Sequence, residues 1–211
     1  MNSQPHLLKY FAHYIEEHNM SRKKKMELEP CSWAQGDLYL EYHAKEWGVP
    51  CHDDKRLFEK LCLEGQQAGL SWITILKKRK HYRKCFHNFD PAKVAKISDL
   101  QLEACLQDTG LIRNRLKIYA IRSNAQAYLD MKKEGIKFSE FLWDFVGGEI
   151  QLNRFASLSE IPTQTPESEA MSRALKKKGF KFIGPTICYA FMQSMGLVND
   201  HLTSCPNHPD N

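Results

Sequence analysis

Four residues near the two ends of the sequence are of metal-ligating type: Cys31, His43, His201 and Cys205. Two thiols and two imidazoles suit tetrahedral zinc. His201 and Cys205 stand four residues apart, which on one helical turn lets two side chains reach one ion. The Cys31 to His43 spacing is not that of a zinc finger. Cysteine is also a common buried apolar residue, and Cys51, His52 and His208 are rival ligands. A site made of all four would be structural, because four protein ligands leave no open position. It would tie the start of the compact chain to its end.

A second set is Glu64 with Trp33, Tyr39, Tyr42, Trp47 and Trp72. Rings stack on the faces of a flat ligand, and a carboxylate accepts N–H bonds and balances positive charge. An alkylated purine extruded from DNA is a ligand of that kind. A plain aromatic core is the ordinary alternative. Leu57, Phe58, Leu61 and Cys62 form a helical stripe over 53–68, with Glu64 three residues beyond Leu61. Periodicity alone favours a glutamate at the stripe's edge, reaching solvent. A buried one would need partners.

A third set lies in residues 175–195. Lys176, Lys177 and Lys178 end one helix, and Gly179 suits the left-handed residue just past it. Gly184 and Pro185 open the next helix, with proline where its missing N–H costs nothing. The turn between them holds Lys181. Such a turn can aim backbone amides at a phosphate.

The elements that must position these sets are mostly helices. Ser71 starts a helix with Trp72, Ile75 and Leu76 on one side and a basic far end, read either as a solvated face or as a DNA contact. Asp90-Pro91 and Ser98 start two more. Residues 113–134 make the longest helical pattern, with Leu116, Ala120, Tyr128 and Leu129 among its apolar positions. Residues 139–146 form a short aromatic helix, 150–155 are ambiguous, and Thr165-Pro166 opens the helix before the hairpin. Almost nothing alternates with period two, so the class is all-α. The seven cysteines are odd in number and follow no framework, which points to a reduced, cytoplasmic setting. No apolar run is long enough to span a membrane. The net charge of +5 permits nucleic-acid binding without requiring it. Residues 1–28, with an amphipathic stretch over 6–17 and a basic run at 22–25, read as a flexible extension. A basic tail adding weak DNA affinity is the alternative. A helical domain over 29–207 follows, and 208–211 form a tail.

The runs CSWAQGDLYLEYHAKEWGVP, LFEKLCLEGQQAGLSWITILKKR, DTGLIRNRLKI and ALKKKGFKFIGPTICYAFMQSMGLVNDH resemble the DNA-3-methyladenine glycosylase I family of the helix–hairpin–helix glycosylases. They cover nearly all of 31–205. The resemblance implies that fold and one structural zinc on Cys31, His43, His201 and Cys205. It implies a base pocket of Glu64, Tyr42 and Trp72, with Trp33 and Tyr39 nearby, where Glu64 recognises the base and acts electrostatically. It implies a DNA-gripping hairpin over 175–195, with contacts at Gly179, Lys181 and Gly184. The activity implied is hydrolysis of the N-glycosidic bond of 3-methyladenine in double-stranded DNA, without a lyase step, by a monomer. Cys31 and His43 lie one residue closer than the family pattern, which a short loop at Gln35-Gly36 could absorb. Asp200 stands near the superfamily's usual catalytic aspartate, but the resemblance implies no such use here. The rivals are a non-enzymatic DNA-binding module and a glycosylase for another lesion.

Overall fold

The computed structural model describes residues 28–211, so the calls on 1–27 lie outside the described residues. Nine α-helices dominate these residues: α1 (Asp37–Lys45), α2 (Asp54–Gln67), α3 (Trp72–Cys85), α4 (Pro91–Val94), α5 (Asp99–Gln107), α6 (Arg115–Lys133), α7 (Phe138–Trp143), α8 (Pro166–Lys177) and α9 (Pro185–Ser194). The ambiguous 150–155 segment supplies β1 (Gln151–Leu152), which pairs in parallel with β2 (Val198–Asn199). Mostly α is therefore correct, with this two-residue ladder as the exception among the described residues.

The helices begin where their sequences can satisfy the free first-turn amides. Asp53 Oδ1 accepts from the Arg56 N–H (2.8 Å), and Ser98 and Thr165 each form a reciprocal capping box. Asp90 caps α4 ahead of Pro91. Helix α2 is the axis of the molecule. Leu57, Phe58, Leu61, Cys62 and Leu63 are buried, and so are Lys60, Glu64, Gly65 and Gln66. A helix buried on so many sides must be enclosed by others. Helices α3, α6 and α9 supply that cover.

Gly65 shows how closely the hairpin packs on this axis. A Cβ there would lie 3.0 Å from the Phe182 carbonyl oxygen. Gly196, at φ +70°, plays a similar part after α9, where a Cβ would fall 2.4 Å from the Pro50 nitrogen. Two expectations need correction. Leu116 is not a core position: it begins α6 on the outer side and is 72% exposed. His201 and Cys205 do not share a helical turn, because the chain past β2 runs through irregular turns.

Candidate functional site

The chain past β2 curls back so that Cys31, His43, His201 and Cys205 converge. All four are buried, and their ligand atoms lie within 4.8 Å of one another. Cys205 Sγ is 3.4 Å from both His43 Nε2 and His201 Nδ1, and Cys31 Sγ is 3.8 Å from His201 Nδ1. Zinc–sulfur bonds of about 2.3 Å and zinc–nitrogen bonds of about 2.1 Å put tetrahedral S and N neighbours about 3.6 Å apart. The observed edges bracket that value. Burial, with the neighbouring His43, lowers the His201 pKa to about 4, and burial lowers that of His43 too. Both rings are thus neutral near pH 7 and able to ligate. Without an ion, burial and Cys205 push the Cys31 thiol up to about 12, so metal binding would have to displace protons.

The rival ligands Cys51, His52 and His208 are not part of this cluster. The Cys51 carbonyl accepts from Trp143 Nε1, and His52 stacks on Trp143. His208 Nε2 meets the Asn153 carbonyl, and its Nδ1 accepts from the Asp210 N–H. The short route from Cys31 to His43 is turned at Gly36, at φ +81°, just before α1.

The metal-type cluster abuts an aromatic cleft. His43 meets Trp33 edge-on at 5.3 Å and stacks with Trp47 at 6.1 Å, and His201 meets Trp47 edge-on at 4.7 Å. Trp33 and Trp47 in turn line a cleft of about 390 Å³ with Tyr39, Tyr42, Glu64 and Trp72. That volume lies in the usual range for a small-molecule pocket. Tyr39 Oη accepts from the Ile73 N–H (2.8 Å), which fixes the first turn of α3 beside the cleft. The sequence-predicted pocket residues are therefore brought together.

Glu64 is not at a solvent edge. It is 2% exposed, and one oxygen is paired with Lys60 Nζ at 3.1 Å. Lys60 was not singled out from the sequence. Its ammonium donates to Tyr42 Oη (2.6 Å) and lies 3.3 Å from the centre of the Trp72 ring. Burial lowers the Lys60 pKa to about 8, against the opposing pull of Glu64. Burial and Glu64 hold the Tyr42 hydroxyl well above its usual range. Because Tyr42 Oη accepts from Lys60, its own proton is free to be donated. Among the described residues, two buried side-chain atoms have no hydrogen-bond partner: Glu64 Oε2 and Trp72 Nε1. Such orphans are rare in native interiors and call for an explanation.

The hairpin is built as its glycines require. Gly179 has φ +97° and Gly184 caps α9, whose first helical residue is Pro185. Asn124 on α6 pins the turn from both sides. Its Oδ1 accepts from the Lys181 N–H (2.7 Å), and its Nδ2 donates to the Lys181 carbonyl (3.2 Å). The Lys181 amide is thus taken. The amides open to an anion are those of the first turn of α9, which have no intrahelical acceptor. The Lys181 side chain itself is exposed.

Asp200 is fully buried and held by three donors: Tyr189 Oη (2.6 Å), Asn153 Nδ2 (2.7 Å) and Gln193 Nε2 (2.8 Å). A carboxylate so enclosed braces the turn before His201. It has no free side toward the cleft.

Residues 33–208 match the model of the methyladenine glycosylase family. This chain belongs to that family. It is 57% identical to DNA-3-methyladenine glycosylase 1 of Escherichia coli K12, over 87% of this chain and 99% of that protein. Among solved structures, a crystal structure of 3-methyladenine DNA glycosylase I superposes with a TM-score of 0.85 at 57% identity, covering 86% of this chain and all of the other. A Staphylococcus aureus 3-methyladenine DNA glycosylase I, solved to explain 3-methyladenine recognition, gives 0.83 at 36% identity, over 88% of this chain and 99% of that one. Among the described residues no helix is long and apolar enough to cross a membrane, and all seven cysteines are free thiols.

Proposed function

We propose that this chain is a base-excision repair enzyme that hydrolyses the N-glycosidic bond of 3-methyladenine in double-stranded DNA, leaving an abasic site. The observation that carries the reading is the orphan pair in the aromatic cleft, Glu64 Oε2 as acceptor and Trp72 Nε1 as donor. Both belong to residues that line the cleft, which suits a ligand with hydrogen-bonding edges and stackable faces. A flipped purine has both. A DNA-binding module without chemistry has no use for such a pocket.

Methylation at N3 leaves the base positively charged before cleavage, so it departs neutral and needs no strong general acid. The pocket must hold the extruded base and admit water. Glu64 accepts from the base and steadies positive charge developing on the sugar, in a cleft where water no longer screens it. Trp72, Tyr42, Trp33 and Tyr39 grip the faces and edges. No lyase step is required: Lys60 is not among the residues lining the cleft, and its amine is bound to Tyr42 and Glu64. We further propose one structural zinc on Cys31, His43, His201 and Cys205, whose rings brace Trp33 and Trp47. Residues 29–207 then act as a monomeric, cytoplasmic helical domain, with 1–28 an extension and 208–211 a tail. The test is base release from methylated duplex DNA, with the freed bases separated and the strands checked for breaks. Release of free 3-methyladenine from unbroken strands is expected. No freed base would favour the binding module, and another freed base would favour a different lesion.

Trp72→Phe removes the donor half of the orphan pair and keeps an aromatic face, though a smaller one, for the base and for Lys60. It removes a buried N–H that the free protein leaves unpaired, so the folded state loses no hydrogen bond. Affinity for free 3-methyladenine should fall roughly three- to tenfold, the worth of one neutral hydrogen bond of about 1 kcal/mol. Calorimetric titration beside a denaturant melt checks this. Unchanged affinity would place the indole N–H away from the base.

Lys181, with Gly179 and Gly184 shaping the turn around it, contacts phosphate without reading sequence. Lys181→Ala should weaken DNA binding alike on unrelated duplexes and reduce the salt slope by about one. An unchanged slope would turn this side chain away from the DNA.

A further inference from the structure

A second cluster of ligand-type side chains lies outside the pocket, the hairpin and the buried Cys/His centre. His81 and Cys85 sit one helical turn apart at the C-terminal end of α3, and Asp108 closes the C-terminus of α5. Their ligand atoms, His81 Nε2, Cys85 Sγ and an Asp108 carboxylate oxygen, lie within 4.8 Å of one another. Asp108 Oδ2 is 2.7 Å from His81 Nε2 and 3.8 Å from Cys85 Sγ. All three are partly exposed, so an ion can reach them.

The surroundings favour this arrangement. The Gly110 N–H donates to Asp108 Oδ1 (2.8 Å), which leaves Oδ2 aimed at His81 and Cys85. The His81 ring occupies space that any other residue at 110 would fill, because a Cβ there would lie 2.3 Å from its Cδ2. Lys78 Nζ is held away on the Thr109 carbonyl. No part of the proposed glycosylase reaction draws on these residues.

We propose that His81, Cys85 and Asp108 form a second, exchangeable site for a borderline-soft divalent cation of the zinc class. One imidazole, one thiol and one carboxylate are the three ligand types zinc takes. Unlike the buried centre, this set has three ligands, so a fourth position stays open to water. Bound metal would staple the end of α3 to the turn before α6, next to the basic face of α3. The thiol must give up its proton to ligate, so binding releases a proton.

Cobalt(II) is the probe. The reduced full-length protein is first loaded with zinc, cleared of loosely held metal and titrated with Co²⁺ while thiolate-to-cobalt absorption and proton release are followed. The same titration is run on Cys85→Ser and Asp108→Asn. Subtraction removes any cobalt that exchanges into the buried centre, so the outcome does not depend on that site. Wild type should show an absorption component that Cys85→Ser lacks, with affinity at least about tenfold weaker in either variant. Asp108→Asn keeps an acceptor for the Gly110 N–H, so it serves should Cys85→Ser fail to fold. Identical spectra and affinities in wild type and a folded variant would overturn the proposal.

Discussion

Cys205→Ala should cost more than about 4 kcal/mol of stability, the range reached by the loss of a structural metal and by few other single changes. The buried centre joins residues that folding must bring together from 31, 43 and 201–205, and the chain between 43 and 201 supplies none of its ligands. A metal ion held there would stabilise only the folded state, so its binding energy would become folding energy. The effect should extend into the cleft, because His43 and His201 brace Trp33 and Trp47. Two measurements check this. Elemental analysis of wild type, freed of loose metal, should give about one zinc, or two if the His81 site retains its ion. Cys205→Ala should lose one equivalent and unfold at far lower denaturant. At low temperature, where the variant still folds, it should retain the cleft chemistry in weakened form. A wild-type protein that is fully folded with no metal would sink the idea.

The legible parts of the structure were those carried by local chemistry. Ser71, Asp90, Ser98 and Thr165 mark helix starts because a short polar side chain followed by a helical stripe has few other uses. Gly179 and Gly184-Pro185 marked the hairpin through backbone geometry alone. The metal-type set was legible by residue type, but its convergence was not. It depends on the β1–β2 pair and on Asp200 holding the last turns, and two-residue strands are too short to show alternation. Sequence alone sends Glu64 to a solvent edge for a different reason. Lys60 and Glu64 are four apart, which in sequence looks like an exposed helical ion pair. Here the pair is buried, and each charge is tolerable only because of the other and of Tyr42. Periodicity puts positions 60 and 64 on or beside the buried stripe; it is their charge alone that assigns them to its solvent edge, and a lone charge says nothing of mutual neutralisation. Leu116 is the converse case, an apolar residue at a helix start that faces outward.

Glu64→Gln should weaken binding of free 3-methyladenine and slow its excision by about ten- to a hundredfold, with the fold kept. Oε1 is paired with Lys60 at 3.1 Å, and Oε2 is buried without a partner. Glutamine can keep its carbonyl oxygen toward Lys60, but its amide then presents N–H donors where Oε2 offered an acceptor. A base donor would meet another donor. Losing one charge-assisted hydrogen bond amounts to roughly 1.5–3 kcal/mol, which gives that range at about 1.4 kcal/mol per tenfold. The substitution also leaves Lys60 without a counter-charge. Its pKa, already lowered to about 8 by burial, would fall further without Glu64, so it can shed its proton and stay buried as a neutral amine. The linkage sign follows. A lysine with a lowered folded-state pKa disfavours folding most below that pKa, and this penalty is relieved as pH rises from about 8 toward 10.5. Titrations are therefore best run at pH 7 and again above 8, where Lys60 is increasingly neutral in both proteins. A Glu64→Gln deficit at both values assigns the loss to the Oε2 contact. Equal affinities of wild type and variant would reduce Glu64 to the structural partner of Lys60, and the base-recognition role would be withdrawn.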